Sequence, residues 1–372
     1  SSLPVREATI EVGGHSSAVE VSSPAMLRRR GRPDRRLHPA AGGPGSLVVD
    51  GLDPDTTYDV IVSGPGLART LAATFTTASR PPGRLLARWA TISDLHLGER
   101  GFGRFGTIED EVPLPAAWEP YPLRCARAAI DEAKAWGAEL VAAKGDLTRD
   151  SEPAEFVQAG RLLAGAGVAT DAIFGNHDMR HQIDGAPVMA AEGVSVHIEP
   201  GFRDLPGLRV VYGHTPTRRD KRGYLPPGHL ERLVELAAGA GPAAVVLHHP
   251  PQWRTLPTHY PPGLVPDESR RLLTALAAAN PDTVVLVGHT HRSRRYRLAG
   301  LTISEVGSTK DYPGVWAGYR VYEGGIQQTV RRVADPTCLA WTEATGRALH
   351  GVWRRWSPGR LGDRCWTQLW SR

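Results

Sequence analysis

The chain has 372 residues, of which 41% are hydrophobic and 22% are charged, the balance of an ordinary soluble globular protein. This length can hold two domains, or one large domain with additions. The longest apolar runs have the length of a strand, far below the roughly 20 residues that a membrane span requires, so we expect no spanning helix. The net charge is +5, and nearly all of the 44 basic residues are arginine. Such a charge would attract phosphate substrates and nucleic acid alike, so composition does not choose between them.

Three cysteines, Cys125, Cys338 and Cys365, are scattered along the chain without a Cys-x-x-Cys pair. This pattern favours neither a disulfide framework nor a thiolate zinc site, and it makes a reducing cytoplasm the expected location. No basic and apolar signal segment opens the sequence. The sequence starts at Ser1 rather than at a methionine, however, so a removed leader peptide is left open.

The first 83 residues favour a small all-β domain and its linker. Short runs rich in β-branched residues alternate with Gly, Pro and Ser turns at 8–12, 47–49, 58–62 and 73–77. The segment from Leu52 to Tyr58 has the Leu-x-Pro-x-Thr-x-Tyr spacing of a tyrosine corner, in which the Tyr hydroxyl bonds back to the backbone at the edge of a sandwich. This part of the chain therefore resembles a fibronectin type III or immunoglobulin-like β-sandwich. The arginine-rich segment 27–36 interrupts the pattern, and we expect an exposed loop there.

Residues 84–335 alternate between strand and helix patterns, which is typical of an α/β fold with a parallel sheet. We predict strands at 85–92, 139–143, 168–174, 208–212, 243–247 and 283–287, helices at 122–136, 153–163, 228–238 and 268–279, and a β-meander from 296 to about 333. The last segment, 336–372, is rich in Trp and Arg. Its favoured interpretation is a helix whose tryptophans pack back onto the preceding domain, rather than a surface for nucleic acid or an anionic membrane.

Residues that can bind a metal follow five of the predicted strands. They are Asp94 and His96 after 85–92, Asp146 after 139–143, Asn176, His177 and Asp178 after 168–174, His248 and His249 after 243–247, and His289 and His291 after 283–287. The carboxyl ends of parallel strands are where α/β sheets place their ligands. Because residues i and i+2 of an extended chain point to the same side, we expect Asp94 and His96 to face one point. In three of the five motifs a glycine precedes the ligand, which lets the backbone turn sharply and approach an ion closely.

The donor types narrow the chemistry. A mixed set of Asp, Asn and His side chains suits Mn, Fe, Zn or Co, whereas Mg and Ca prefer oxygen ligands only. Two such ions roughly 3.5–4 Å apart need a bridging carboxylate, with nitrogen and oxygen donors around each ion. The pattern therefore predicts a centre of two metal ions whose identity is left open.

Five motifs together resemble the complete signature of the calcineurin-like metallophosphoesterases, in the order of that family, over about residues 86–320. They are Asp94-x-His96, Gly145-Asp146, Gly175-Asn176-His177-Asp178, His248-His249-Pro250 and Gly288-His289-Thr290-His291. The resemblance implies a four-layer α/β/β/α sandwich of two packed sheets flanked by helices, preceded here by the small all-β sandwich. It implies that the first metal is held by Asp94, His96 and His291, the second by Asn176, His248 and His289, and that Asp146 bridges them. His177 matches the catalytic histidine of the family, with Asp178 expected to orient its ring.

The implied reaction is hydrolysis of a small phosphoester by a hydroxide held between the two metals. The β domain ahead of the catalytic domain is similar to that of purple acid phosphatases. Those enzymes place a Tyr three residues after the bridging Asp, where this chain has Arg149, which argues against a tyrosinate–iron centre. The motifs are closer to those of the bacterial class III cyclic-nucleotide and glycerophosphodiester phosphodiesterases. A phosphodiesterase acting on a cyclic nucleotide or a glycerophosphodiester is therefore the favoured prediction.

Three alternatives stay open at this point. A phosphomonoesterase similar to acid phosphatases would use the same metals, and a repair-type nuclease would use the basic surface to hold nucleic acid. A scaffold without metals is disfavoured because none of the ligand motifs is broken, and self-association of the chain is left open. We expect His181, His214 and His259 to be loop or surface residues, and the loops 98–121 and 179–193 to shape the substrate pocket.

Overall fold

The computed structural model describes residues 7–12, 25–28, 35–37, 45–50, 52–64, 67–109, 119–181, 183–218, 220–239, 241–254 and 260–371. His259, which the sequence predicts to lie at the surface, falls outside these residues.

The N-terminal part of the chain is built of strands only, within the described residues. They are β1 (Glu7–Val12), β2 (Ala25–Arg28), β3 (Arg35–Leu37), β4 (Gly45–Asp50), β5 (Thr57–Gly64) and β6 (Leu67–Thr76). Strands β1 and β4 pair with each other, and the other four form a sheet of order β3-β2-β5-β6. The predicted corner bond is present, because the backbone N–H of Asp53 donates to the hydroxyl oxygen of Tyr58 at 2.8 Å. The prediction of a loop over 27–36 is wrong at both ends, because β2 extends to Arg28 and β3 begins at Arg35.

The remaining described residues alternate between strands and helices, as predicted. The elements are β7 (Leu85–Ile92), β8 (Gly101–Phe102), β9 (Ile108–Glu109), α1 (Tyr121–Ala135), β10 (Leu140–Lys144), α2 (Pro153–Ala164), β11 (Ala169–Ile173), α3 (Gly185–Ala191), β12 (Gly201–Leu205), β13 (Leu208–Tyr212), α4 (His229–Ala238), β14 (Ala243–Val246), α5 (Pro266–Ala279), β15 (Thr283–Val287), β16 (Arg294–Leu298), β17 (Leu301–Glu305), β18 (Val315–Tyr322), β19 (Gly325–Arg332), α6 (Pro336–Thr345), α7 (Val352–Trp356), α8 (Leu361–Arg364) and β20 (Cys365–Leu369). The expected loops 98–121 and 179–193 thus contain β8, β9 and α3.

Two six-stranded sheets organise this part of the chain, in the orders β11-β10-β7-β18-β19-β20 and β12-β13-β14-β15-β17-β16. The strands β7, β10 and β11 are parallel in the first sheet, and so are β13, β14, β15 and β17 in the second. The helices α1, α2, α4 and α5 provide the crossovers of four of these parallel pairs, whereas β15 and β17 are connected through strand β16.

The alternation of side chains along the strands builds four layers. In β7, Ala87 and Trp89 point into a core between the two sheets, while Ala90 and Ile92 point into a second core beneath helices α1, α2 and α6. On the far side of the second sheet, alternate residues of β15 pack beneath α4 and α5. Burying each large apolar side chain contributes about 1.5–3 kcal/mol, so both faces of each sheet stabilise the fold. The predicted α/β/β/α sandwich is confirmed.

The predicted β-meander after residue 296 is wrong. Strand β17 pairs in parallel with β15 of the second sheet, whereas β18 pairs antiparallel with β7 of the first. The buried segment 306–314 carries the chain from one sheet to the other. Two hairpins therefore replace the meander, and each one extends a different sheet.

The Trp-rich tail packs back onto the preceding layers, as expected, and it adds a strand as well as helices. Trp341 of α6 is buried and stacks on Tyr121 at 4.6 Å between ring centroids. Strand β20 pairs antiparallel with β19, which brings Trp366 into the core between the sheets. No helix in the described parts of the chain has the length and apolar character needed to cross a bilayer.

We expect Trp366→Ala to lower the free energy of unfolding by about 3–5 kcal/mol, because the indole is only 2% exposed and its removal leaves a cavity between the sheets. Urea unfolding followed by circular dichroism measures the change. Leu369→Ala on the same strand, at a side chain 59% exposed, should shift the value by less than about 0.5 kcal/mol. Equal, small effects of the two substitutions would show that β20 does not contribute to the core.

Candidate metal centre

The loops that follow β7, β10, β11, β14 and β15 meet at one end of the two packed sheets. Within the sheets, neighbouring loops are tied together by the N–H of Asp94, which donates to the carbonyl of Gly145 at 3.1 Å, and by the N–H of Gly288, which donates to the carbonyl of His248 at 3.0 Å. Between the sheets, the N–H of His289 donates to Oδ1 of Asp94 at 3.0 Å. Loops from both sheets therefore form one continuous site.

The backbone at this site adopts an uncommon conformation. Five candidate ligands have φ values between +46° and +72°, and they are Asp94, His96, Asp146, His289 and His291. Non-glycine residues rarely adopt such angles, and each one costs of order 1–3 kcal/mol, so their concentration at one place indicates a functional site. The sequence attributes the convergence of Asp94 and His96 to an extended chain. The structure corrects this explanation, because neither residue is extended. Two left-handed turns, rather than strand alternation, bring their side chains together.

The glycines that precede three of the motifs allow close approach, as the sequence predicts. A Cβ atom on Gly175 would lie 2.2 Å from Oδ1 of Asp146, and one on Gly288 would lie 2.0 Å from Oγ of Ser93. Gly145 also has a left-handed φ of +92°. Any larger residue at these positions would displace a candidate ligand.

Asp94, His96 and His291 form the first cluster of donors. One ligand atom from each lies within 4.8 Å of the other two. Nε2 of His96 is 3.1 Å from Nε2 of His291, which is 3.6 Å from Oδ1 of Asp94. Asp94 and His96 are buried and His291 is half-buried. The three side chains expected to hold a first metal are therefore close enough to share one ion.

Asn176, His248 and His289 form the second cluster. Nε2 of His248 lies 3.3 Å from Oδ1 of Asn176 and 3.2 Å from Nδ1 of His289. All three residues are buried. The set expected to hold a second metal also converges on one point.

Asp146 lies between the two clusters. Its Oδ1 is 3.4 Å from Nε2 of His248, and its Oδ2 is 3.6 Å from Nε2 of His96. Burial raises the pKa of Asp146, but the rings of His248, His177 and His96 lower that pKa further, to well below its usual range. An ionised carboxylate thus presents one oxygen to each cluster, the arrangement that a bridging ligand requires.

In His248 and His289, one ring nitrogen forms a hydrogen bond to a backbone carbonyl, and this bond determines whether the other nitrogen carries a proton or a lone pair. Nδ1 of His248 is 2.8 Å from the carbonyl oxygen of Lys144, and Nε2 of His289 is 3.1 Å from that of Pro262. A carbonyl only accepts, so each of these nitrogens donates, and the inward nitrogen of each neutral ring carries a lone pair. Two lone pairs facing each other at 3.2 Å would repel, so this pair of rings needs either a proton on one inward nitrogen or a metal ion between them.

The electrostatics at the same point favour positive charge. Burial lowers the pKa of His248, but Asp146 and Asp94 raise it more, to about 9. A divalent ion would supply that charge in place of a proton. The residues present therefore fit a metal ion, in donor type as well as in position.

Sequence reasoning missed Asp311. Its Oδ2 accepts a hydrogen bond from Nδ1 of His291 at 2.8 Å, and the carboxylate is buried. Burial lowers the pKa of His291, and Asp311 and Asp94 raise it above the usual value. A carboxylate in this position fixes the ring so that Nε2 faces the first cluster. No motif spacing links residue 311 to the ligands, because the segment between the sheets delivers it.

His177 lies beside the bridging carboxylate. Its backbone N–H donates to Oδ1 of Asp146 at 2.7 Å, and its ring meets that of His96 edge-on at 4.3 Å between centroids. Nδ1 donates to the carbonyl oxygen of Arg149 at 2.8 Å. These contacts hold the half-buried ring at the rim of the site. Because Nδ1 is occupied by the Arg149 carbonyl, Nε2 is the ring nitrogen that remains for other contacts.

The role expected for Asp178 is corrected. Its carboxylate accepts from the backbone N–H groups of Gly175 at 2.8 Å, Thr148 at 2.8 Å and Leu147 at 3.1 Å, and from the Thr148 hydroxyl at 2.7 Å. The carbonyl of Arg149, rather than Asp178, thus holds Nδ1 of His177. The short 3₁₀ turn at His177–Met179 points consecutive side chains in different directions. Asp178 instead ties the loop after β10 to the loop after β11.

His249, set aside as a ligand in favour of His248, also lies close to the second cluster. It can be grouped with His248 and His289 as a metal-type set. Nδ1 of His249 is 2.8 Å from the hydroxyl of Thr215. His248 alone of the pair contacts Asp146, at 3.4 Å, which supports the choice between them.

Among the residues that the structure describes, the other histidines do not join the two clusters. His214 lies in a buried loop, where burial and then His229 lower its pKa to about 4. His181 is at the surface, with Nε2 3.3 Å from a carboxylate oxygen of Glu152.

We expect Gly175→Ala to weaken divalent-metal binding by roughly 10- to 100-fold, because the added methyl group would push Oδ1 of Asp146 out of place. Calorimetric titration of metal-stripped protein with Mn²⁺ measures the affinity. Gly241→Ala is the matched control, since a Cβ there meets nothing within 4 Å. Wild-type affinity in Gly175→Ala would contradict the close packing of Asp146 against Gly175.

Comparisons with known proteins give distant likenesses of fold. No protein-family model and no curated protein matches the chain. The purple acid phosphatase PPD1 from yellow lupin (Lupinus luteus) seeds is 13% identical over 89% of this chain and 70% of that one, with a TM-score of 0.45. The protein TT1561 of Thermus thermophilus is 15% identical over 67% and 99%, with a TM-score of 0.42. The phosphopantetheinyl hydrolase PptH from Mycobacterium tuberculosis is 14% identical over 60% and 90%, with a TM-score of 0.36. In the layers of its fold and in the order of its candidate ligands, the chain resembles the calcineurin-like metallophosphoesterases.

Proposed function

We propose that this protein is a metal-dependent phosphoester hydrolase with a centre of two ions, and that its substrate is a small phosphodiester such as a cyclic nucleotide or a glycerophosphodiester. The observation that carries the proposal is the position of Asp146. Its two carboxylate oxygens lie 3.4 Å and 3.6 Å from histidine nitrogens of two different donor clusters. A structural ion pair would need only one such partner.

The proposed ligands divide between the ions as the clusters do. One ion is held by Asp94, His96 and His291, the other by Asn176, His248 and His289, and Asp146 is shared. Mixed nitrogen and oxygen donors suit Mn, Fe, Zn or Co. Two divalent ions bound there would supply Lewis acidity to a phosphoryl group.

The protein's own groups position the substrate and handle protons. The carbonyl oxygen of Arg149 accepts a hydrogen bond from Nδ1–H of His177. Nε2, which accepts a hydrogen bond from Nη2 of Arg180 at 3.1 Å, is therefore the nitrogen that can exchange a proton with a leaving-group oxygen once Arg180 releases it. The N–H of His177 holds Oδ1 of Asp146, which couples the rim of the site to the bridging carboxylate. Asp178 keeps the loops after β10 and β11 in register, so its contribution is to position both Asp146 and His177.

The choice of a diester rests on the resemblance of the motifs to those of the class III phosphodiesterases. Arg149 occupies the position that a tyrosine fills in purple acid phosphatases, which supports a centre without tyrosinate.

The test is hydrolysis of bis-p-nitrophenyl phosphate, beside the monoester p-nitrophenyl phosphate, by metal-stripped protein refilled with Mn²⁺. We expect diester turnover that depends on the metal, and a loss of roughly 100-fold or more in kcat/KM for Asn176→Ala, which removes one ligand. Gln158→Ala, a change from amide to methyl on α2 outside the clusters, is the control and should retain activity.

A preference for the monoester would replace the diesterase proposal with a phosphomonoesterase. No turnover of either compound by protein that binds two ions would contradict a general phosphoesterase. DNA substrates, with activity that falls steeply as salt rises, would then be the next to test.

A further inference from the structure

Two guanidinium groups contact the imidazole ring of His177. Nη2 of Arg180 is 3.1 Å from Nε2 of the ring, where it donates a hydrogen bond to the lone pair. Nη1 of Arg149 is 3.4 Å from Nδ1, whose own proton is already donated to the Arg149 carbonyl. The second of these approaches is therefore a contact without a hydrogen bond. Neither guanidinium group is used by the mechanism proposed above.

The charge of Arg149 is not compensated. Among the described residues, no carboxylate oxygen lies within ion-pair distance of its guanidinium, although the side chain is half-buried. Arg180 differs, since its Nη1 is 2.5 Å from Oδ1 of Asp150. The Arg149 guanidinium is therefore free to pair with an anionic group of a ligand.

The order of contacts places these arginines one imidazole ring beyond the candidate ligands. Oδ1 of Asp146 accepts a hydrogen bond from the backbone N–H of His177, whereas the two guanidinium groups contact the nitrogens of its ring. A phosphoryl group at the clusters would lie beside the ring of His177, one nitrogen of which is grouped with Asp146 and His96. The guanidinium groups would then lie beside whatever part of the substrate extends past that phosphoryl group. Arginine presents a planar fork of N–H donors that matches a phosphate in a bidentate manner.

We propose that Arg149 and Arg180 form a second anion site, which binds a phosphate group carried elsewhere on the same substrate molecule. The preferred substrate is then a phosphodiester that also bears a terminal phosphate. This inference rests on the proposed function, because it assigns the scissile diester to the metal clusters. Arg149 is the principal contact, and Arg180 joins it by exchanging its hydrogen bond to His177 for one to the phosphate.

A purely structural role for Arg149 makes a different prediction. The group that holds Nδ1 of His177 is the backbone carbonyl of residue 149, which any side chain leaves in place. Substitution of the side chain therefore separates anion binding from the positioning of His177.

The first experiment compares thymidine 3′-(p-nitrophenyl phosphate) with the same compound carrying a 5′-phosphate, using Mn²⁺-loaded protein and the release of p-nitrophenol. We expect the wild type to prefer the 5′-phosphorylated compound in kcat/KM. Arg149→Gln should reduce that preference by roughly 10- to 100-fold, the value of one or two charge-assisted hydrogen bonds. Arg149→Lys should reduce it less. Arg161→Gln, which removes a positive charge on α2 paired with Glu192, should leave the preference unchanged.

The second measurement counts bound phosphate. Calorimetric titration of Zn²⁺-loaded protein with inorganic phosphate should give two sites in the wild type and one in Arg149→Gln. The same number of sites in both proteins, or no preference for the 5′-phosphorylated compound in a wild type that hydrolyses the plain diester, would overturn the second anion site while the proposed hydrolase stands. A protein that hydrolyses neither compound but shows two phosphate sites, one of them lost in Arg149→Gln, would support the anion site and contradict the hydrolase.

Discussion

The site depends on positive charge at the point where the ligand rings meet. Nε2 of His248 and Nδ1 of His289 face each other at 3.2 Å, each ring committed to a carbonyl on its outer side. Nε2 of His96 and Nε2 of His291 also approach each other closely, to 3.1 Å. The free energy of placing ions there would offset both this crowding and the left-handed backbone of five ligands.

The fold supplies this geometry from rigid parts. Two sheets packed face to face deliver loops from both sides to one end, and cores on every face hold the strands in place. Asp178 then fixes the loops after β10 and β11 relative to each other, through bonds to backbone N–H groups. Asp311 reaches the site by a different route, from the buried segment that crosses between sheets. The ligands thus sit on short loops whose positions are determined from several directions.

Sequence patterns were sufficient for the strands and the ligand motifs, and insufficient for the contacts around them. The bounds of β7, β13 and β15 match the predicted ranges, because buried parallel strands are continuous apolar runs that turn residues end. The partner of each ligand could not be predicted in this way. The bond between Asp311 and His291 joins residues through the tertiary path of the chain, and no local spacing encodes it.

Two errors have the same physical origin. Asp94 and His96 do converge, but through left-handed turns rather than through strand alternation, and the φ of a residue past the end of a strand has no signature in a single sequence. Likewise, the hairpins after residue 293 carry a clear strand pattern, yet their assignment to different sheets depends on which edge is open when they pack. The local sequence pattern predicts that a strand forms, whereas the packing of the complete core determines which strands it pairs with.

The most direct test of the account is whether two metal ions share Asp146. Metal-stripped protein refilled with Mn²⁺ would be analysed for metal content and for exchange coupling by electron paramagnetic resonance, beside Asp146→Ala. We predict about two ions per chain with a coupled spectrum in the wild type, since a bridging carboxylate holds the ions roughly 3.5–4 Å apart. The coupling should disappear in Asp146→Ala. A single ion in the wild type, or two ions whose spectra are uncoupled, would contradict the bridged centre.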